Sequence, residues 1–168
     1  MPTHYKGRPD TIRALNAYIN LARASDSLLR RMSAQLERDG LTMGQFGVLE
    51  TLLHLGPLCQ HTLGQKLLRS GGNITLVVDN LEKHGWVRRE RQEDDRRMIK
   101  IHLTPQGRKL IERVFPEHAK AITRELSVLA PGDQENLRRL CRKLGRGGEK
   151  QQDYRKTWEK ENDTDSTE

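Results

Sequence analysis

The stretch Ser70-Gly71-Gly72-Asn73-Ile74-Thr75-Leu76-Val77-Val78-Asp79-Asn80-Leu81-Glu82-Lys83-His84-Gly85-Trp86-Val87-Arg88-Arg89-Glu90-Arg91 decides the fold of this 168-residue chain. Ile74, Val77, Val78 and Leu81 recur at i, i+3, i+4 and i+7, which predicts an amphipathic helix from about Ile74 to His84, stopping at Gly85. Ser70 to Asn73 reads as a turn, and Thr62 to Leu68 before it as a short helix. Trp86 to Arg91 reads as a strand, Gln92 to Arg97 as a polar hairpin tip, and Met98 to Leu103 as the alternating return strand. Helix, turn, helix and basic β-hairpin is the element order of a winged helix-turn-helix. That order suits a helix in the major groove of DNA with a wing beside it.

On the N-terminal side, Thr42-Met43-Gly44-Gln45 is a capping-box pattern. It opens a helix that buries Phe46, Leu49, Leu52 and Leu53 and ends at Gly56-Pro57. Cys59 stands near the start of the third helix, where a small polar residue would normally cap. A long first helix is expected from about Asp10 to Arg38, with Ile12, Leu15, Tyr18, Ile19, Ala22, Leu29, Met32 and Leu36 at helical spacing and Gly40 as its stop. Such a helix is either a lid over the core or an arm of a dimer interface.

On the C-terminal side, Thr104-Pro105 is a helix start, with a hydroxyl N-cap and proline at N1. That helix carries Leu110, Ile111, Val114, Phe115, Ile122, Leu126 and Leu129, and Pro116 in its interior is expected to kink it. A last helix after Pro131-Gly132 bears Leu137, Leu140, Cys141 and Leu144 on one side and ends at Gly145-Arg146-Gly147-Gly148. The polar tail from Glu149 to Glu168 is expected to be disordered, with Tyr154 and Trp158 placed to dock a short turn. The expected order is thus α-α-α-α-β-β-α-α, a mainly α fold with a small β-hairpin wing. The expected organisation is residues 1–40 as the N-terminal helix of a dimerisation layer and 41–104 as the DNA-binding domain. Residues 105–146 supply the C-terminal helices of the layer, and 147–168 the charged tail. A monomer would leave the apolar stripes of the terminal helices in water.

Composition narrows the partner. Lys and Arg number 30 against 23 Asp and Glu, a net charge of +7 that favours polyanions. Aromatic residues make up 4%, with no cluster of the kind that stacks single-stranded bases, so duplex DNA is the better fit. There is no apolar run of about 18 residues to span a bilayer, and Met1 to Lys6 leads into no signal-peptide core. Cys59 and Cys141 are too few for a disulfide framework and fit no zinc motif. The reading is a reduced, cytoplasmic protein with no membrane partner and no cofactor. The phosphate-cradling, metalloprotease and nucleophile-elbow patterns of enzymes are absent from the sequence, and catalysis is not expected.

Several residues are candidates for touching DNA. Positive charge in the wing comes from Arg88, Arg89, Arg91, Arg96, Arg97 and Lys100, interspersed with Glu90, Glu93, Asp94 and Asp95. An isolated charge run is usually a solvated hairpin, but this one follows a helix-turn-helix, and an arginine at the tip can enter the minor groove. Phosphate repels Asp95, whose job is therefore structural: capping the turn or extending Arg96 or Arg97. Helix N-termini bind phosphate, which brings in Ser70 and Gly72, while Asn73 can read adenine and Thr75 a phosphate or a thymine methyl. Gly72, Thr75, Leu76, Asp79 and Lys83 are expected to face the groove, although an internal ion pair suits Asp79 better than cytosine does. His61, Thr62 and Lys66 are candidate phosphate contacts.

Residues from about Leu41 to Ile111 resemble the MarR family of bacterial regulators. The resemblance is carried by Gly71-Gly72-Asn73-Ile74-Thr75, by Val78-Asp79-Asn80-Leu81-Glu82-Lys83-His84-Gly85, and by Asp95-Arg96-Arg97 followed by Leu103-Thr104-Pro105-Gln106-Gly107. With the flanking helices it covers roughly residues 10 to 145. It implies a homodimer on a palindromic operator, usually repressing transcription, and a small, often phenolic ligand between the helical layer and the winged domain. By position, Asp95 would orient the wing, Arg97 would enter the minor groove, and Ser70, Asn73, Thr75 and Leu76 would lie on the reading face. Leu76 stands where the family frequently has a polar residue. Phe115-Pro116-Glu117-His118 is similar to the branch that senses quinones and related phenolics.

Phe46, Leu49, Leu53 and His54 are candidates for the wall of the ligand cleft, and equally for core packing. A thiol switch at Cys59, next to His61, is an alternative trigger, although the family's peroxide sensors carry their cysteine in the first helix, which has none here. His54, Cys59 and His61 fall within eight residues but straddle a helix end and form no compact ligand pair. A constitutive, architectural DNA-binding protein is the other alternative.

Overall fold

The computed structural model describes residues 3–67, 71–91 and 99–145. Helix α1 spans Pro9–Glu37, α2 Met43–Leu55, α3 Gln60–Lys66, α4 Gly71–Lys83 and α5 Pro105–Leu126. A further helix, α6, covers residues 131–145. Strands β1 (Leu58–Cys59), β2 (Val87–Arg91) and β3 (Ile99–Leu103) form one antiparallel sheet in the order β1-β3-β2. The chain divides into two compact units, Met1–Thr123 and Arg124–Glu168.

The expected element order misses β1. Two residues are too short for an alternation signal, and Leu58-Cys59 becomes a strand only because Ile101 and Lys100 of β3 lie opposite. The pairing also moves the start of α3 forward from Thr62 to Gln60, with Cys59 as an N-cap whose side chain makes no cap bond. Helix α4 starts at Gly71 rather than Ile74, so Asn73 is helical rather than part of a turn. Helices α1 and α2 stand within a residue or two of their expected bounds.

The Thr42 capping box is formed in full: the Gln45 backbone N–H donates to Thr42 Oγ1 at 3.2 Å, and the Thr42 N–H donates to Gln45 Oε1 at 2.8 Å. At the end of α4, Gly85 adopts φ +70°, a left-handed conformation costly for any residue with a Cβ. That turn lets the Trp86 N–H reach the Leu81 carbonyl at 3.0 Å and the Gly85 N–H reach Glu82 at 2.9 Å, closing a Schellman motif. The chain is thereby turned from α4 straight into β2. Pro116 lies inside α5, which runs continuously across it, so the carbonyl one turn earlier, that of Glu112, receives no helical N–H from residue 116.

The core of the first unit gathers one face of each element. Leu36 of α1, Phe46, Val48, Leu49 and Leu52 of α2, and Leu63 of α3 meet Ile74, Val78 and Leu81 of α4. Val87, Ile101, Ile111 and Val114 complete it from the sheet and α5. Ile101 is central to the sheet, paired with Arg89 on one side and Leu58 on the other, and fully buried. In the second unit, Gln134 Nε2 donates to the carbonyls of Leu126 and Leu129, both at 3.1 Å, pinning the turn into α6. Among the described residues no helix is long and apolar enough to cross a membrane.

Candidate nucleic-acid interface and effector cavity

Strand β2 begins Val87-Arg88-Arg89, and the strand's two-residue period places Arg89 on the same face as buried Val87. A guanidinium facing inward requires counter-charges, and α4 supplies them. Arg89 donates to Asp79 Oδ1 and to Glu82 Oε2, each at 2.6 Å, while its backbone N–H donates to Glu82 Oε1 at 2.9 Å. Burial opposes the arginine's charge, but hydrogen bonds to Asp79 and then Glu82 outweigh it and raise the guanidinium above its ordinary range. Gln60 of α3 extends the network, with its Oε1 3.4 Å from the guanidinium and its Nε2 donating to Thr75 Oγ1 at 2.7 Å. Strand β2, α4 and α3 are thus tied together by side chains.

This corrects one expectation and bears out another: Arg89 is committed internally rather than adding to the wing's outward positive charge, and Asp79 makes the internal ion pair expected of it. Arg88, on the other face of β2, pairs with Glu90.

On the solvent side of α4, Asn73, Leu76 and Lys83 are exposed, Asn80 is half-buried, and Leu76 retains 62% exposure. Thr75 sits on the flank, its hydroxyl engaged with Gln60. On α3, His61 and Lys66 are exposed and Thr62 is half-buried. Gly72 lies in the first turn of α4, where helix N–H groups lack helical partners. Ser70, the wing-tip residues Asp95, Arg96 and Arg97, and the tail 147–168 lie outside the described residues.

A second feature lies between α2 and α5, within the first unit. A cavity of about 620 Å³ is lined by Phe46, Gly47 and Glu50 of α2 and by Phe115, His118 and Ile122 of α5, among others. This volume falls within the ~300–1,000 Å³ of small-molecule sites. Phe46 is thus on the wall. Leu49, by contrast, is fully buried in the core, and Leu53 packs against it. His54 is exposed and meets Phe115 edge-on, with ring centroids 4.9 Å apart. Glu50, Phe115, His118 and Ile122 were not anticipated as wall residues. The signal was present: Phe46 and Glu50 are four apart on α2, while Phe115, His118 and Ile122 share one face of α5.

His118 is the unusual group in this wall. It is 4% exposed, its ring lies 4.3 Å from that of Phe46, and its Nδ1 is buried without a hydrogen-bond partner. Burial pushes the imidazole below the ordinary histidine range, and the charge of Glu50 pulls the other way without reversing the shift. The unfolded chain therefore takes up this proton more readily than the folded one. The stability contribution is fully present above about pH 6.5 and is lost as pH falls below it towards the folded-state value. Melting temperatures measured between pH 7.5 and 5.5 should fall more steeply for the wild type than for His118→Phe. Parallel curves would show that His118 does not titrate in this way. Among the described residues no group of three or more His, Cys, Asp or Glu is placed to hold a metal ion.

Comparison with known proteins accords with this geometry. The MarR family profile matches residues 41–99. The chain is 36% identical over 133 residues to the uncharacterized HTH-type transcriptional regulator YkoM of Bacillus subtilis (strain 168), covering 79% of this chain and 86% of that protein. It is 33% identical over 135 residues to the HTH-type transcriptional regulator MhqR of the same organism, covering 80% of this chain and 93% of that one. Among solved structures, Sco3205, a MarR family transcriptional regulator from Streptomyces coelicolor in complex with DNA, superposes with a TM-score of 0.77 at 25% identity, covering 86% of this chain and 91% of that one. A winged helix-turn-helix tied together through Arg89, in a chain this similar to known regulators, is a DNA-binding transcriptional regulator of the MarR family.

Proposed function

We propose that the protein is a cytoplasmic homodimeric repressor, released from a palindromic operator by a small phenolic or quinone-like ligand held between α2 and α5. The observation that carries the ligand reading is His118: a buried imidazole with an unpartnered nitrogen in an otherwise largely apolar wall. Leaving a buried polar atom unpaired costs about 1–3 kcal/mol, and a ligand bearing a hydroxyl or carbonyl relieves that cost. A neutral imidazole offers one donor and one acceptor. Phe46 and Phe115 offer faces or edges to a flat ring. The similarity of the Phe115–His118 stretch to the phenolic-sensing branch points the same way.

Dimerisation is supported by the apolar residues each unit leaves exposed. On α1, Tyr18 is 69% exposed and Leu29 49%, and on α6, Leu140 is 55% exposed and Leu144 63%. A second copy that covers these residues makes residues 1–40 and 105–146 the dimerisation layer, with 41–104 as the DNA-binding domain. Two recognition helices about 34 Å apart then match successive major grooves. Arg97 enters the flanking minor groove, held by Asp95, while His61, Thr62, Lys66, Ser70 and Gly72 hold phosphates. A ligand between α2 and α5 bears on the element that positions α4, and it needs to favour a non-matching spacing by only a few kcal/mol.

Isothermal titration of the dimer with catechol and hydroquinone, in reducing buffer, tests the ligand site. Saturable binding that His118→Phe weakens at least tenfold, with the fold intact, is expected. Equal binding by both proteins would remove the ligand from this cavity, and no binding would shift weight to constitutive DNA binding.

A further inference from the structure

Helix α4 buries Ile74, Val78 and Leu81. At about 100° per residue, Leu76 lies nearly diametrically opposite that stripe, flanked by Asn73, Asn80 and Lys83. It is a large aliphatic side chain, 62% exposed, at the centre of an otherwise polar arc. Two further polar residues of the helix are occupied elsewhere: Thr75 accepts from Gln60 and Asp79 is bound to Arg89. The part of the helix that projects farthest from the protein therefore carries an apolar group and no free carboxylate.

We infer that Leu76 reads the C5-methyl group of a thymine in the major groove, once in each half-site. This rests on α4 being the groove-entering helix of a dimer. Thymine alone among the four bases places a methyl group on the major-groove edge, whereas cytosine places an N4 amino donor there. Leu76 against thymine buries apolar surface on both sides. Leu76 against cytosine strips water from a donor it cannot satisfy. Discrimination at this position thus follows from burial rather than from a hydrogen bond, and Asn73 and Asn80 remain available to read neighbouring base edges.

Deoxyuridine tests this cleanly, since it pairs as thymine does but lacks the methyl. The probe is a fluorescein-labelled duplex enriched by the wild-type protein from a random library, with each thymine replaced in turn. One position per half-site should respond. Loss of one methyl contact corresponds to about fourfold weaker binding, and symmetric replacement in both half-sites to about fifteenfold. Leu76→Ala should bind the thymine duplex about as weakly as the wild type binds the symmetric deoxyuridine duplex, and should be insensitive to the replacement.

Three results would overturn the inference. One is an enriched duplex that tolerates deoxyuridine everywhere, and another is full deoxyuridine sensitivity in Leu76→Ala. The third is dissociation of the Leu76→Ala dimer in sedimentation, which would make the residue a protein contact. Failure to enrich any duplex would instead defeat the underlying reading of α4 as a sequence-reading helix.

Discussion

Gly107→Ala is expected to destabilise the protein by about 2–3 kcal/mol, which lowers the melting midpoint by roughly 5–10 °C for a chain of this size. A Cβ on Gly107 would stand 1.9 Å from the Trp86 carbonyl oxygen and 2.7 Å from its carbon, so the obstacle is backbone. That carbonyl accepts the Thr104 N–H at 3.1 Å, while the Thr104 hydroxyl donates to Gly85 O at 2.7 Å and accepts from the Gly107 N–H at 3.0 Å. One clash therefore disturbs the exit from α4, the end of β3 and the N-cap of α5 together. The roughly 1 kcal/mol that alanine gains over glycine in a helix offsets only part of this. Thermal melts followed by circular dichroism check the result. Gly132→Ala in α6 is the control, because nothing lies within 4 Å of its Cβ position and no loss of stability is expected there. Equal midpoints for Gly107→Ala and wild type would mean the approach of α5 to Trp86 is not tight.

Arg89→Ala is expected to weaken operator binding about 10- to 30-fold, from a coupling of roughly 1.5–2 kcal/mol. A fully buried pair broken on one side would cost about 3–5 kcal/mol. Here the Asp79 and Glu82 side chains are 43% and 39% exposed, and water screens much of that penalty. The effect on DNA exceeds the effect on folding because two uncompensated carboxylates are left on α4, the helix proposed to approach phosphate. Polarisation measurements at several salt concentrations read it directly. Adding Asp79→Asn and Glu82→Gln to the Arg89→Ala protein should recover most of the affinity. No recovery would make Arg89 a phosphate contact in its own right, contrary to its place in the structure.

The long-range logic of this fold was readable in local patterns wherever one element sufficed to state it. The Ile74–Val78–Leu81 stripe, the Thr42–Gln45 box and the glycine stops at Gly40 and Gly85 are properties of a few consecutive residues. Strand β1 was not readable, because Leu58-Cys59 is a strand only by virtue of Ile101 and Lys100, some forty residues later. The internal role of Arg89 was hidden for a related reason. Its charge suggested DNA, whereas the alternation Val87-Arg88-Arg89 already placed it on the inner face. The Asp79 ion pair was anticipated, but its partner was not. In the cavity, helical spacing would have associated Phe46 with Glu50 and Phe115 with His118. What it does not give is which face of α5 turns towards α2, and so Leu49 and Leu53, equally apolar, were equally good candidates. Gly107 was noticed as part of a motif, and only the packing of α5 against Trp86 supplies its physical reason.

We propose that this regulator holds DNA until a small aromatic ligand enters beside His118. The most direct measurement is fluorescence polarisation of the protein on its enriched duplex, titrated with catechol or hydroquinone in reducing buffer, for the wild type and for His118→Phe. Salt-sensitive binding by both proteins, release of the wild type by ligand, and a variant that stays bound at the same ligand concentration are the expected results. Ligand release of both proteins alike, or of neither, would contradict the proposal.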